Sequence, residues 1–300
     1  MLSLSKHHAN ANFLFKHHCV SILLNNPPSN SMNTSLTEST HFIASALPPH
    51  FRPKVAIILG SGLGAITDGM DILATLEYRT IPHFPVSTVD SHRGTLVLGM
   101  LGGTPVAVMQ GRFHYYEGYS AQDVVFPLRV VQKLGASILL LTNACGGLNP
   151  LFRAGDIMLI DDHINLQWEN PLISRDERHR FPDMSAPYSP RLAALAEECA
   201  LREALTLRKG TYLAVTGPNY ETRAELRFMR KIGADVVGMS SVPETLAARS
   251  LRMEVLGLSL VTNECRPDAP RHVSHEEVLT TAAMAEQNMK ILVRRLLEDC

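Results

Sequence analysis

Eight short apolar runs, most of them ending in glycine or a small polar residue, set the first limit on what this chain can fold into. They are VAIILG (55–60), TLVLGM (95–100), PVAVMQ (105–110), ILLLTN (138–143), DIMLI (156–160), TYLAVT (211–216), DVVGMS (235–240) and VLGLSLVT (255–262). Each has strand length, and several lack polar alternation, so both of their faces are expected to be covered. Helical signals fall between many of them. A short amphipathic helix is expected over about 37–47. Ser189-Pro190 reads as a cap followed by proline at the first helical position. Thr222–Glu225, Ser241–Glu244 and Ser274–Glu277 read as capping boxes. After the last box, Val278, Ala282, Ala285, Met289, Leu292 and Leu296 form one apolar stripe on a terminal helix. Strands alternating with helices predict an α/β fold: a single-domain, three-layer sandwich with a mixed, mostly parallel sheet flanked by helices.

The chain's 300 residues, 45% of them hydrophobic, suffice for one large core. No repeat or linker divides residues 36–300. Residues 1–35 are read as a flexible extension, rich in Ser, Asn and His at its start, with Glu38 the first acidic residue of the chain. Neither a transit peptide nor a signal peptide fits that stretch well. Lys+Arg 28 against Asp+Glu 29 argues against nucleic-acid or membrane-surface binding, so any anion site must be local. The cysteines at 19, 145, 199, 265 and 300 include no CxxC pair, and neither a disulfide framework nor a metal site is expected. A reducing, cytoplasmic location is the simplest expectation. No apolar run approaches the roughly 20 residues of a membrane helix.

Ligands of α/β sheets collect at the carboxyl ends of strands, so the polar residues there are the candidates. GSGLG (60–64) has its third glycine one residue too early for a dinucleotide fingerprint and lacks the GK[ST] of a phosphate-binding nucleotide loop. It offers backbone N–H groups and the Ser61 hydroxyl to a small anion. GRFHYYEG (111–118) adds the Arg112 fork and His114 as a further donor, with Glu117 placed to fix the histidine ring. TNACGG (142–147) exposes the backbone near Ala144. GPNYETRAE, GMSSVPE and VTNEC bring Glu221, the 238–244 turn and Asn263 to further strand ends. The long polar-aromatic segment 165–190 has the length of a functional loop.

The ordered set LGSGLG, GRFHYYEGY, TNACGGLNP, GDIMLIDDHIN, GPNYET, GADVVGMSSVPE and SHEEVL resembles the trimeric purine nucleoside phosphorylase family over about residues 36–300. The resemblance implies reversible phosphorolysis of a purine nucleoside to free base and ribose 1-phosphate, as in purine salvage. It implies no cofactor, inorganic phosphate as co-substrate, and a homotrimer. It implies a phosphate site of Ser61, His92, Arg112, His114, the Ala144 N–H and Ser240. Tyr116, Met239 and His275 are implied for the ribose, with Phe181 entering from a neighbouring subunit. Tyr220, Glu221, Thr262 and Asn263 are implied for the base, and Asn263, His114 and Glu221 carry the catalytic roles. A carboxylate at Glu221 accepts a ring N–H and an amide at Asn263 donates to a 6-oxo group. The related methylthioadenosine phosphorylases carry Asp at the position of Asn263 and lack the histidine matching His275. The expected substrates are therefore inosine and guanosine. Xanthosine or a 6-amino nucleoside is the alternative; an oxidoreductase and a non-catalytic nucleoside sensor are the readings from other classes.

Overall fold

The computed structural model describes residues 29–88, 93–173, 181–269 and 274–300. β1 (Val55–Ile58) is wholly buried near the middle of the sheet. Its alternate residues face opposite ways. Ala56 and Ile58 pack with α1 (Ser29–Ser45), α2 (Ala121–Lys133) and α5 (Val242–Ser250). Val55, Ile57 and the adjoining Leu59 pack with α3 (Pro190–Arg202) and α6 (His275–Glu298). Helices on both faces explain why the strand sequences are continuously apolar. α1 crosses the expected domain start at residue 36.

β4 (Thr104–Gln110) and β5 (Ile138–Gly147) flank β1, both parallel to it. β3 (Thr95–Leu101) pairs antiparallel with β4, and β2 (Asp71–Glu77) forms the outer edge. On the other side, β9 (Glu254–Glu264) runs parallel to β5, while β8 (Val236–Gly238) meets the end of β5 antiparallel. β7 (Leu207–Ala214) joins β8, β6 (Ile157–Asn165) joins β7, and β6 pairs antiparallel with β9. Strands β5, β8, β7, β6 and β9 thus close into a ring. The mixed sheet and its two helical layers match expectation. Its pairings, however, divide into five parallel and four antiparallel, and one half is rolled up rather than open. An apolar run reports burial but not strand direction, and the antiparallel β3 and β8 are covered as well.

The stripe expected on α6 is buried along its whole length, from Val278 at 9% exposure to Leu296 at 1%. The helix presses against the glycine turn after β1. A Cβ at Gly62, whose φ is +76°, would lie 2.6 Å from the Ala282 Cβ. Glu286 accepts the Ala65 N–H at 2.6 Å. Because β1, β4, β5 and β9 all run the same way, residues 60–62, 111–114, 144 and 263 arrive at one end of the sheet.

Candidate active site

A cleft of about 720 Å³, counted with the solvent at its mouth, occupies that end of the sheet. Ser61, Arg112, His114, Tyr116, Ala144, Tyr220, Glu221, Met239, Ser240, Thr262 and Asn263 all line it. His92 lies outside the described residues, as does the side chain of His275, whose backbone opens α6. Phe181 is 89% exposed and does not line the cleft of its own chain.

One end of the cleft is built around a buried guanidinium. Arg112 is 2% exposed. Its Nη1 donates to Ser240 Oγ and Ser241 Oγ, both at 3.0 Å. Its Nη2 donates to the Ile58 carbonyl at 3.2 Å and to the Thr142 carbonyl. The end of β1 and the middle of β5 therefore hold the side chain. The two strands approach closely there: a Cβ at Gly60 would lie 2.7 Å from the Asn143 Cα. The turn carrying Met239 and Ser240 is braced by Tyr212, whose Oη accepts the Ser240 N–H at 3.3 Å.

His114 stacks on Tyr116, with ring centroids 4.6 Å apart and planes 13° from parallel. Its Nδ1 meets Glu117 Oε1 at 3.0 Å. Glu117 Oε2 accepts from both the N–H and the hydroxyl of Thr88 at 2.8 Å. Burial pushes the His114 pKa down, against the upward pull of Glu117. Burial raises the Glu117 pKa, but the hydrogen bonds from His114 and Thr88 prevail and hold it at about 2. With Nδ1–H committed to Glu117, the ring's Nε2 accepts a hydrogen bond when neutral and donates one only when protonated. The donor expected of His114 is therefore the imidazolium form.

The other end carries an amide and a carboxylate. β9 bulges at Thr262, since Val261 lies opposite Cys145 and Asn263 opposite Gly146. A bulge re-aims side chains at a strand end. The Thr262 hydroxyl lies 3.1 Å from the Cys145 carbonyl and 3.2 Å from Asn263 Oδ1, and Asn263 Nδ2 donates to Cys265 Sγ at 3.4 Å. The amide is thus held at both ends, with its second N–H left to point elsewhere. Burial raises the pKa of Glu221 and carries that of Cys265 to about 12, so Cys265 stays a thiol. Tyr220, 43% exposed, stands at the rim.

Sequence reasoning missed four supporting residues. Ser241 accepts from Arg112 and, at 2.9 Å, from Asn143 Nδ2. Glu244 lies 3.6 Å from Arg112 Nη1. Gln167 donates to the Met239 carbonyl at 3.3 Å, and Cys265 lines the cleft beside Asn263. Ser241–Glu244 was expected to close a capping box on α5. It does not: Ser241 has φ +70° and makes no cap hydrogen bond, because both side chains turn to Arg112 instead. The boxes at Thr222, opening α4 (Arg223–Lys231), and at Ser274 do form. Among the described residues, no group of three or more His, Cys, Asp or Glu could hold a metal ion.

The Phosphorylase superfamily profile matches residues 54–298. Purine nucleoside phosphorylase 1 of Bacillus subtilis (strain 168) is 47% identical over 268 residues, covering 88% of this chain and 98% of that protein. The purine nucleoside phosphorylase of Bos taurus is 46% identical over 256 residues, covering 82% of this chain and 89% of its own. A crystal structure of Schistosoma mansoni purine nucleoside phosphorylase in complex with adenosine superposes with a TM-score of 0.83 at 38% identity, covering 88% of this chain and 96% of that one. The profile match, the identities across nearly the full length of these relatives and the shared fold together establish that the chain belongs to the purine nucleoside phosphorylase family of enzymes.

Proposed function

We propose that the protein catalyses reversible phosphorolysis of 6-oxopurine ribo- and deoxyribonucleosides, with inosine and guanosine as substrates, in purine salvage. The observation carrying this reading is that one cleft is lined by both the Ser61–Arg112–His114–Ser240 group and the Glu221–Asn263 pair. Phosphate sits in the first group, with the Ala144 N–H and His92 completing its contacts. The sugar lies between, against Tyr116 and Met239, with His275 at the 5′-hydroxyl. Tyr220 covers the base. Thr262 supports Asn263 from behind.

Phosphate is the nucleophile. One of its oxygens forms a bond to C1′ as the C1′–N9 bond breaks, and the electron pair of that bond leaves with the purine. The transition state has oxocarbenium character, as in glycosidic cleavage generally. The protein contributes position and charge placement, holding a partly dehydrated anion against C1′. Negative charge accumulates on the departing ring, and the Asn263 amide donates to it. The Glu221 carboxylate accepts the N1–H that hypoxanthine and guanine present and adenine lacks. A homotrimer in which Phe181 closes a neighbour's sugar pocket accounts for an aromatic side chain that is 89% exposed in the single chain. No helix among the described residues is long and apolar enough to cross a membrane, and a cytoplasmic location remains part of this proposal.

The test is base release from inosine, guanosine, xanthosine, adenosine and methylthioadenosine, each with and without phosphate. Release of hypoxanthine and guanine only with phosphate supports the reading. Equal release without phosphate means hydrolysis and overturns it. The Schistosoma mansoni relative was crystallised with adenosine, which gives the 6-amino alternative a specific footing. Faster cleavage of adenosine than of inosine would select that alternative.

A further inference from the structure

The failed capping box on α5 leaves a carboxylate in an unusual place. Glu244 is 2% exposed, and among the described residues neither of its oxygens accepts a hydrogen bond. It lies 3.6 Å from Arg112 Nη1, whose own side chain is 2% exposed. That separation is too long for a hydrogen bond but short for two buried charges. Glu244 is also not needed to aim Arg112. The guanidinium already donates to two serine hydroxyls and two backbone carbonyls. A buried carboxylate that holds nothing in place acts on its neighbours through charge, first on Arg112 at 3.6 Å and more weakly on His114.

We propose that Glu244 is a fixed counter-charge that weakens the phosphate site, an inference that rests on the phosphorolysis reading above. With the cleft empty, Glu244 offsets the buried Arg112 charge, which would otherwise be costly to desolvate. When a phosphate group binds at the guanidinium, it shares Arg112 with a negative charge already present. The interior does not screen that repulsion as salt screens surface charges. The consequence is specific to the anion. Inorganic phosphate and the phosphate of ribose 1-phosphate occupy the same place in opposite directions of the reaction, so Glu244 loosens both. The purine end of the cleft is built from β9 and the segment carrying Glu221, and Glu244 leaves it unaffected. A reversible enzyme whose nucleophile and product share one anion site needs such loosening, since an uncompensated buried arginine would hold either anion too long.

The experiment uses the full chain. Phosphate-dependent base release by the wild type is measured first; its absence would sink the phosphorolysis reading rather than this inference. Glu244→Gln then removes the charge and keeps the shape. The expected result is that KM for phosphate and KM for ribose 1-phosphate both fall about tenfold, the scale of one repulsive charge about 7 Å away at an effective dielectric of about 35. KM for inosine and for hypoxanthine stays unchanged. The rise in melting temperature produced by added inorganic phosphate is larger than in wild type. Glu244→Met, neutral and similar in length, gives the same pattern if the glutamine folds poorly. An unchanged or increased phosphate KM, or failure of both variants to fold even in phosphate, overturns the proposal in favour of a purely structural carboxylate.

Discussion

A single oxygen of Glu117 takes two hydrogen bonds from His114, one from its backbone N–H at 2.8 Å and one from ring Nδ1 at 3.0 Å. Its other oxygen takes two from Thr88. Glu117 therefore joins the cleft histidine to the segment carrying Thr88. Removing it frees the ring to rotate about its stacking contact with Tyr116 and releases Thr88. Glu117→Ala is expected to raise KM for phosphate about tenfold or more, the scale of losing a charge-assisted hydrogen bond, with a smaller change in KM for inosine. Steady-state kinetics with each substrate varied in turn checks this; a wild-type phosphate KM would remove Glu117 from the account.

The same pair makes the empty protein sensitive to acid. Burial lowers the His114 pKa below the usual 6.5. A depressed folded pKa contributes stability that is present above the unfolded value and is lost as pH falls through the folded one. Glu117, lowered from 4.5 to about 2, behaves in the same sense at lower pH. The melting temperature of the phosphate-free protein is thus expected to fall as pH drops from about 6.5, first through His114 and then, below about 4.5, through Glu117. His114→Asn flattens the upper part of that decline and makes the lower part shallower, since the ring hydrogen bond to Glu117 is lost while those from Thr88 and the backbone N–H remain. Melts from pH 8 to 4 test the assignment, and parallel curves for wild type and variant would refute it.

Legibility in the sequence followed how each residue does its work. The α6 stripe could be read from spacing alone, because one face of that helix packs on one side of the sheet. Ser61, Arg112, His114, Glu221 and Asn263 could be found because they sit at strand ends, where polar groups interrupt apolar runs. β2 was not found because it is an edge strand with Ile72 and Leu73 exposed. α2 was masked by Pro127 inside it and by Asp123 standing where a capping box usually has Glu or Gln. Ser241 and Glu244 had an ordinary local meaning that tertiary contacts with Arg112 overrode. The orientation of Asn263 depends on a bulge and on a thiol two residues along, neither of which local pattern reveals.

Asn263 shows how the amide in the cleft is set. Its amide nitrogen donates to Cys265, and a Cβ at Gly146 would lie 2.5 Å from that sulfur and 3.4 Å from Asn263 Nδ2. Gly146→Ala is expected to displace Cys265 and turn the amide, raising KM for inosine while leaving KM for phosphate near wild type. Asn263→Ala removes the donor itself and is expected to lower turnover by roughly 10²-fold, the scale of losing one donor to developing negative charge. Asn263→Asp presents only acceptors and is expected to shift the ratio of adenosine to inosine cleavage toward adenosine. An unchanged rate in the alanine variant would exclude the role given to the amide.

Ser241 tests whether backbone strain at the phosphate end serves the site. Its φ of +70° is unfavourable for serine, at a cost of order 1–3 kcal/mol. In return its hydroxyl reaches Arg112 and Asn143. Ser241→Gly relieves the strain and loses both contacts, so its melting temperature is expected to stay close to wild type while KM for phosphate rises. Ser241→Ala loses the same contacts but keeps the strained backbone. It is expected to show a similar phosphate KM and a clearly lower melting temperature. The difference between the two variants isolates the backbone contribution, and their shared kinetic defect isolates the hydroxyl. If alanine and glycine melt alike, the strain is not significant; if both bind phosphate as wild type does, Arg112 is held well enough without Ser241.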